Sequence, residues 1–169
     1  ALGTNILGSK STAVGSGALQ TQNYATATDG LNVAVGYASG SGVTTGVQNT
    51  LIGSSSGDAL TNADFNVAVG YQALTTDTLG SKSVAIGMNT LSAQNFTTAT
   101  DSFNTAVGHD AGTAVTTGTQ NTLIGALAGD ALTDADYNVA VGSGALTADT
   151  LGSRSTALGF NTLASQNFT

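Results

Sequence analysis

The sequence predicts an all-β fold, a parallel β-solenoid (β-roll) of nine short coils, and three observations predict it. A five-residue motif, [Asn/Ser]-[Thr/Val]-[Ala/Leu]-[Val/Ile/Leu]-Gly, occurs nine times, closing at Gly15, Gly36, Gly53, Gly70, Gly87, Gly108, Gly125, Gly142 and Gly159. The intervals run 21, 17, 17, 17 and then 21, 17, 17, 17 residues. Such a coil is too short for a helix–turn–helix repeat and suits short strands joined by tight turns. The composition agrees, with 23 Gly, 26 Ala and 28 Thr in 169 residues, no Pro and no Glu. Helix-rich domains lean instead on Glu, Lys, Leu and Arg.

The intervals sum to a super-repeat of 72 residues, giving copies at 1–72 and 73–144 and a partial third at 145–169. The first two copies agree at 44 positions, about 61%. The whole chain therefore reads as a single repeat array, and the lack of atypical capping coils suggests a segment of a longer fibre or units stacked end to end.

Each coil can be read column by column from its glycine. The residue before Gly is always a branched aliphatic: Val14, Val35, Ile52, Val69, Ile86, Val107, Ile124, Val141 and Leu158. This column is the expected core ladder. Two before Gly stands Ala, or Leu at Leu51 and Leu123; three before stands Thr or Val. Four before stands Asn at Asn32, Asn49, Asn66, Asn104, Asn121 and Asn138, and Ser in the other coils. Strand side chains alternate between faces. The Val/Ile and Thr/Val columns thus share one face, and the Ala/Leu and Asn/Ser columns share the other. The Asn column is an expected ladder, because identical amides in register can bond coil to coil. An Ala/Leu column kept in register implies burial on both faces. One covering layer is the coil's own far wall, with Leu19, Leu74, Leu91, Leu146 and Leu163; the other is a neighbouring chain.

Nine coils rising about 4.8 Å each make a rod of roughly 43 Å. Such an array supplies length and stiffness rather than a cleft.

Charge and residue usage exclude several functions. Three basic residues against ten acidic ones, net −7, argue against a nucleic-acid surface, which needs clustered Lys and Arg. Without Cys there is no disulfide framework or thiol nucleophile. No apolar run reaches the roughly 18–20 residues of a membrane span.

Ser83-Val84-Ala85-Ile86-Gly87, with near matches at Asn32–Gly36 and Asn138–Gly142, resembles the repeated head motif of trimeric autotransporter adhesins, the YadA-like family. The 17-residue spacing, with Gly70-Tyr71-Gln72-Ala73-Leu74, is similar to repeats of phage tail fibres. All nine coils carry the motif, although the adhesin coils are shorter. The resemblance implies a left-handed parallel β-roll in which three chains pack about one axis.

Residues able to carry chemistry are few. The one histidine, His109, stands in a column that otherwise holds Ser, Tyr, Met, Ala and Phe. That is a surface or turn position rather than a catalytic one. The Asp residues read as turn formers. No cofactor or metal is expected; calcium, which oxygen-rich turns suit, is the alternative for Asp58, Asp64, Asp77, Asp101, Asp130, Asp134, Asp136 and Asp149, although the Gly-Gly-x-Gly-x-Asp pattern of calcium β-rolls is absent. Lys10, Lys82 and Arg154 recur every 72 residues and are expected to pair locally with Asp.

The 21-residue coils are the best recognition candidates. Their four extra residues are expected to bulge outward, presenting Tyr24 and Asp29 in one coil and Asn95, Phe96 and Asp101 in the other. An exposed aromatic beside amides suits a sugar or a protein partner; the alternative is that the ring tucks inward as a packing plug. Asn95-Phe96-Thr97 and Asn167-Phe168-Thr169 are also N-glycosylation sequons.

The expected function is a non-catalytic fibre segment, extracellular or at a cell or virion surface: a spacer, adhesin or filament, most simply a homotrimer, that meets an unidentified receptor or glycan. An ice-binding solenoid is the alternative, because Thr44, Thr61, Thr78, Thr116, Thr133 and Thr150 form one Thr rank, broken at Asn23 and Asn95. A polysaccharide depolymerase ranks below both, for want of a column lined by paired carboxylates.

Overall fold

The computed structural model describes residues 1–168. It is an all-β solenoid of about nine turns, and every strand pairing within it is parallel. Nine three-residue strands form one continuous sheet: β2 (Thr12–Val14), β4 (Val33–Val35), β5 (Thr50–Ile52), β6 (Val67–Val69), β8 (Val84–Ile86), β10 (Thr105–Val107), β11 (Thr122–Ile124), β12 (Val139–Val141) and β13 (Thr156–Leu158). They stack in chain order. Register follows the motif, so Val14 faces Val35, Val69 faces Ile86 and Val141 faces Leu158. Two smaller sheets pair β1 (Gly8–Ser9) with β3 (Thr28–Asp29), and β7 (Gly80–Ser81) with β9 (Thr100–Asp101).

The motif glycine closes each strand because the stack leaves no room for a side chain there. Gly70 sits at φ 141°, and a Cβ on it would lie 2.3 Å from the Gly87 carbonyl oxygen of the next coil. Only glycine tolerates both the angle and the approach.

The interior reverses the expected assignment of faces. The Ala/Leu column points into the coil, with Ala34, Leu51, Ala68, Ala85, Ala106, Leu123, Ala140 and Ala157 fully buried. The expected core ladder, Val14, Val35, Ile52, Val69, Ile86, Val107, Ile124, Val141 and Leu158, lies on the outer face. Val35, Val69, Val107 and Val141 are half-buried there, and Val14, Ile52, Ile86, Ile124 and Leu158 are exposed. The column is a ladder, but it is not the core of the chain. The lumen decides this. The far wall fills it with Leu19, Leu74, Leu91 and Leu146, and opposite them only Ala fits at native packing density. Where the far wall carries Gly40 and Gly57 instead, Leu51 takes the space: a Cβ on Gly57 would lie 2.7 Å from its Cδ2. Leu123 does the same for Gly112 and Gly129. Leu163 departs from its column and is 40% exposed.

Candidate functional site

The Asn ladder exists, and its bonds run differently from a simple amide stack. The Asn32 Oδ1 accepts from the backbone N–H of Asn49 at 2.8 Å, and Asn49 Oδ1 accepts from Asn66 N–H at 2.9 Å. Ser83 N–H then donates to Asn66 Oδ1 at 2.9 Å. Each Nδ2 crosses the lumen to a far-wall carbonyl, Asn32 to Gly46, Asn49 to Ala63 and Asn66 to Gly80, at 2.8–2.9 Å. Asn104, Asn121 and Asn138 repeat the scheme on Gly118, Ala135 and Gly152. All six are buried. One side chain thus satisfies a backbone donor on its own wall and a backbone acceptor on the opposite one, which buried peptide groups require.

The long coils expose Ala25, Thr26 and Ala27, and Thr97, Thr98 and Ala99, but their aromatic side chains turn inward. Tyr24 and Phe96 are each 5% exposed, so both rings are packing plugs. The Tyr24 hydroxyl donates to the Gly46 carbonyl at 2.9 Å, and burial pushes its pKa up, partly offset by the Asn32 amide. Asn95 is half-buried, its Oδ1 accepting from the Thr78 hydroxyl at 3.1 Å. Beyond the exposed stretches, Thr28–Asp29 (β3) and Thr100–Asp101 (β9) pair with Gly8–Ser9 and Gly80–Ser81 of the preceding coil. Asp29 and Asp101 remain outside, held by Lys10 and Lys82 at 2.6 Å each. Lys10 and the Ser9 hydroxyl together hold the Asp29 carboxyl below the usual range. Of the five expected recognition residues, the structure therefore leaves these two Asp outside, both already paired. Thr169, which completes the second sequon, lies outside the described residues.

Behind each aromatic plug is a polar socket that composition alone does not show. Asp77, fully buried, accepts from Gly80 N–H at 3.0 Å, Phe96 N–H at 3.1 Å and Gln94 Nε2 at 2.6 Å. Asp149 repeats this with Gly152, Phe168 and Gln166. The signal was present in the sequence as Asp77 and Gln94 spaced 17 apart.

The other Asp residues also bond mostly to the neighbouring coil rather than to their own turn. Asp58 and Asp130 accept from Thr75 and Thr147, and Asp64 accepts from Val47 N–H. Asp134 accepts from the Thr116 and Thr117 hydroxyls, which lower its pKa. Among the described residues no three His, Cys, Asp or Glu side chains converge as a metal site would require. His109 is exposed beside Asp110 at 3.2 Å. The Thr rank is half-buried, and Thr44, Thr61 and Thr133 donate their hydroxyls to next-coil carbonyls.

What the chain does present is an apolar strip. The Thr/Val and Val/Ile columns of the nine-stranded sheet form its outer face. One border carries Tyr37, Tyr71, Met88 and Phe160, all more than 40% exposed. The other carries a corner column of Lys10, Leu31, Gln48, Phe65, Lys82, Phe103, Gln120, Tyr137 and Arg154, every one exposed. Lys82 lies over the Phe103 ring at 5.2 Å and Arg154 over Tyr137 at 5.5 Å.

The fold and this strip define a β-solenoid repeat protein. Comparison with protein-family models, curated proteins and solved structures finds no match.

Proposed function

We propose that the chain is a segment of a homotrimeric β-solenoid fibre, a rigid, non-catalytic spacer at a cell or virion surface that bears an attachment function. The observation that carries this is the outer face of the nine-stranded sheet. It is an unbroken band of Val, Ile and Thr roughly 43 Å long, with Val14 56% and Ile52 38% exposed. Soluble monomers rarely leave apolar patches of several hundred Å² uncovered. A partner of the same axial rise meets nine equally spaced rungs without misfit, and another copy of the chain has that rise by construction. Three copies, each turning this face to a common axis, is the arrangement that the resemblance to adhesin heads implies.

Light scattering on the protein in solution tests the reading. Three chains per particle is the expected mass, and a monomer over the micromolar range overturns it. The Val69→Asp variant provides the mechanistic control, because a charge there meets the partner face and should release single, folded chains.

A further inference from the structure

We propose that the exposed corner column is a binding track for a linear, extended β-linked polysaccharide, read by an apolar side chain on every second coil. This names a ligand for the attachment role proposed above and rests on that role, not on the number of chains.

The column alternates strictly. Leu31, Phe65, Phe103 and Tyr137 occupy every second rung; Lys10, Gln48, Lys82, Gln120 and Arg154 occupy the rungs between. Apolar side chains therefore recur roughly every 10 Å along the rod, twice the rise of one coil. That is close to the length of two β-1,4-linked pyranose units in an extended chain. The side chains are open to solvent in part: Leu31, Phe65, Phe103 and Tyr137 are 45, 46, 52 and 47% exposed, with Lys82 lying over the Phe103 ring and Arg154 over the Tyr137 ring.

The track stands at one of the left-handed corners that recur in every coil. All nine have left-handed φ, between 50 and 62°. A bulky residue there carries a strain that Gly or Asn would relieve. The left-handed residues Leu19, Leu74, Leu91 and Leu146 are explained by complete burial in the core. Phe65, Phe103 and Tyr137 have no such burial; within the chain, Phe103 and Tyr137 meet Lys82 and Arg154 over one face. Left-handed φ also recurs at other corners, where Leu127 and Leu163 are 41 and 40% exposed, so what distinguishes the track is its strict alternation.

The chemistry selects the ligand class. Aromatic faces offer flat apolar platforms to the C–H faces of sugar rings. Gln48 and Gln120 place an amide, both donor and acceptor, between platforms where hydroxyls would lie. Lys10 and Lys82 are already neutralised by Asp29 and Asp101, and Arg154 has no carboxylate partner among the described residues, so from Lys10 to Tyr137 the track suits a neutral polymer rather than a polyanion. A regular polysaccharide repeats at such a fixed interval over all four apolar rungs.

Co-sedimentation with microcrystalline cellulose and with chitin, against the α-linked helical amylose, tests this on the whole chain. Retention on cellulose or chitin but not on amylose is expected. The variant Phe65→Gln, Phe103→Gln, Tyr137→Gln uses a residue that the column already accepts, and should weaken retention at least tenfold with an unchanged circular-dichroism spectrum. If the triple variant does not fold, the single Phe103→Gln substitution is expected to weaken retention severalfold. Tyr37→Ser with Tyr71→Ser, on the opposite border, should leave retention as it was. No retention on either β-glycan, or equal retention by the corner variants, overturns the track. So does protection of the Tyr137 ring from solvent in the free protein, which would mean that another copy covers the corner. Because the particle mass is measured separately, a trimer that ignores both glycans overturns the track alone.

Discussion

Gln94 donates its Nε2 to the buried Asp77 carboxylate at 2.6 Å, while the equivalent Gln22 has no partner for the same atom. The difference is one residue. Asn5 stands where the later copies have Asp77 and Asp149, and its own Nδ2 turns to the Gly8 carbonyl at 3.0 Å. The solenoid thus contains two completed sockets and one incomplete one within the same repeat grammar.

Asp77→Asn should reproduce the incomplete socket in the second copy. It removes the carboxylate acceptor of the buried Gln94 amide, leaving it the Ser83 hydroxyl alone, a loss of about 1–3 kcal/mol. Asn5→Asp should do the opposite and raise stability by about 1 kcal/mol. Urea unfolding of the two variants against the parent gives the sign of each change.

Neighbouring positions in β6 should respond in opposite ways. Ala68 is fully buried, and Ala68→Leu overfills the lumen, costing about 1–3 kcal/mol in the folding of the chain itself. Val69 is only half-buried, so Val69→Asp should spare the chain fold. Circular dichroism and unfolding report the first effect, and particle mass the effect of the second on assembly. If Val69→Asp unfolded isolated chains, the assignment of faces would be in error.

Removing one Asn should break both walls at once. Asn66→Ala leaves the Ser83 N–H and the Gly80 carbonyl without their partners, at a cost of about 2–4 kcal/mol for two buried groups. Amide hydrogen exchange at Ser83 should accelerate, whereas exchange two coils away at Thr122 should change little, because stability in such arrays is local.

Acid should loosen the edges before the core. Asp29 and Asp134 both have folded pKa values below the ordinary one of about 3.8. Each therefore adds stability above that value and loses it as pH falls through it toward the lower folded pKa. Lys10→Met should remove most of the Asp29 contribution. Thermal unfolding between pH 5 and about pH 2 should then show a shallower acid decline in the variant than in the parent.

Alkali should act on one coil alone. Burial raises the Tyr24 pKa above 10.0. The neutral phenol thus contributes stability that is complete below that value and is lost as pH rises through the folded pKa. Tyr24→Phe should abolish that loss. It should cost under about 1 kcal/mol at neutral pH, since Phe96 fills the same place in the second copy and Asn32 still serves the Gly46 carbonyl. Unfolding of the variant and the parent at pH 7 and above pH 10 separates the two effects.

Periodicity alone set the repeat: the coil lengths, the parallel register, the strand at each motif and the buried Asn column. These follow from periodicity, which stacking preserves residue for residue, as the pairing of Val14 with Val35 and of Val69 with Ile86 shows. Which side of each strand faced inward was decided only in three dimensions. Alternation divides a strand into two faces without saying which is inside, and Val/Ile outranks Ala in hydrophobicity. The lumen, already filled by Leu19 and Leu74 from the far wall, had room for Ala and not for Val. The fate of the long coils was likewise tertiary. Tyr24 and Phe96 turn inward because the chain beyond them pairs as β3 and β9, closing the socket over Gln22 and Gln94. Three of the aromatic side chains left outside, Phe65, Phe103 and Tyr137, stand at corners whose left-handed backbone no local pattern announced.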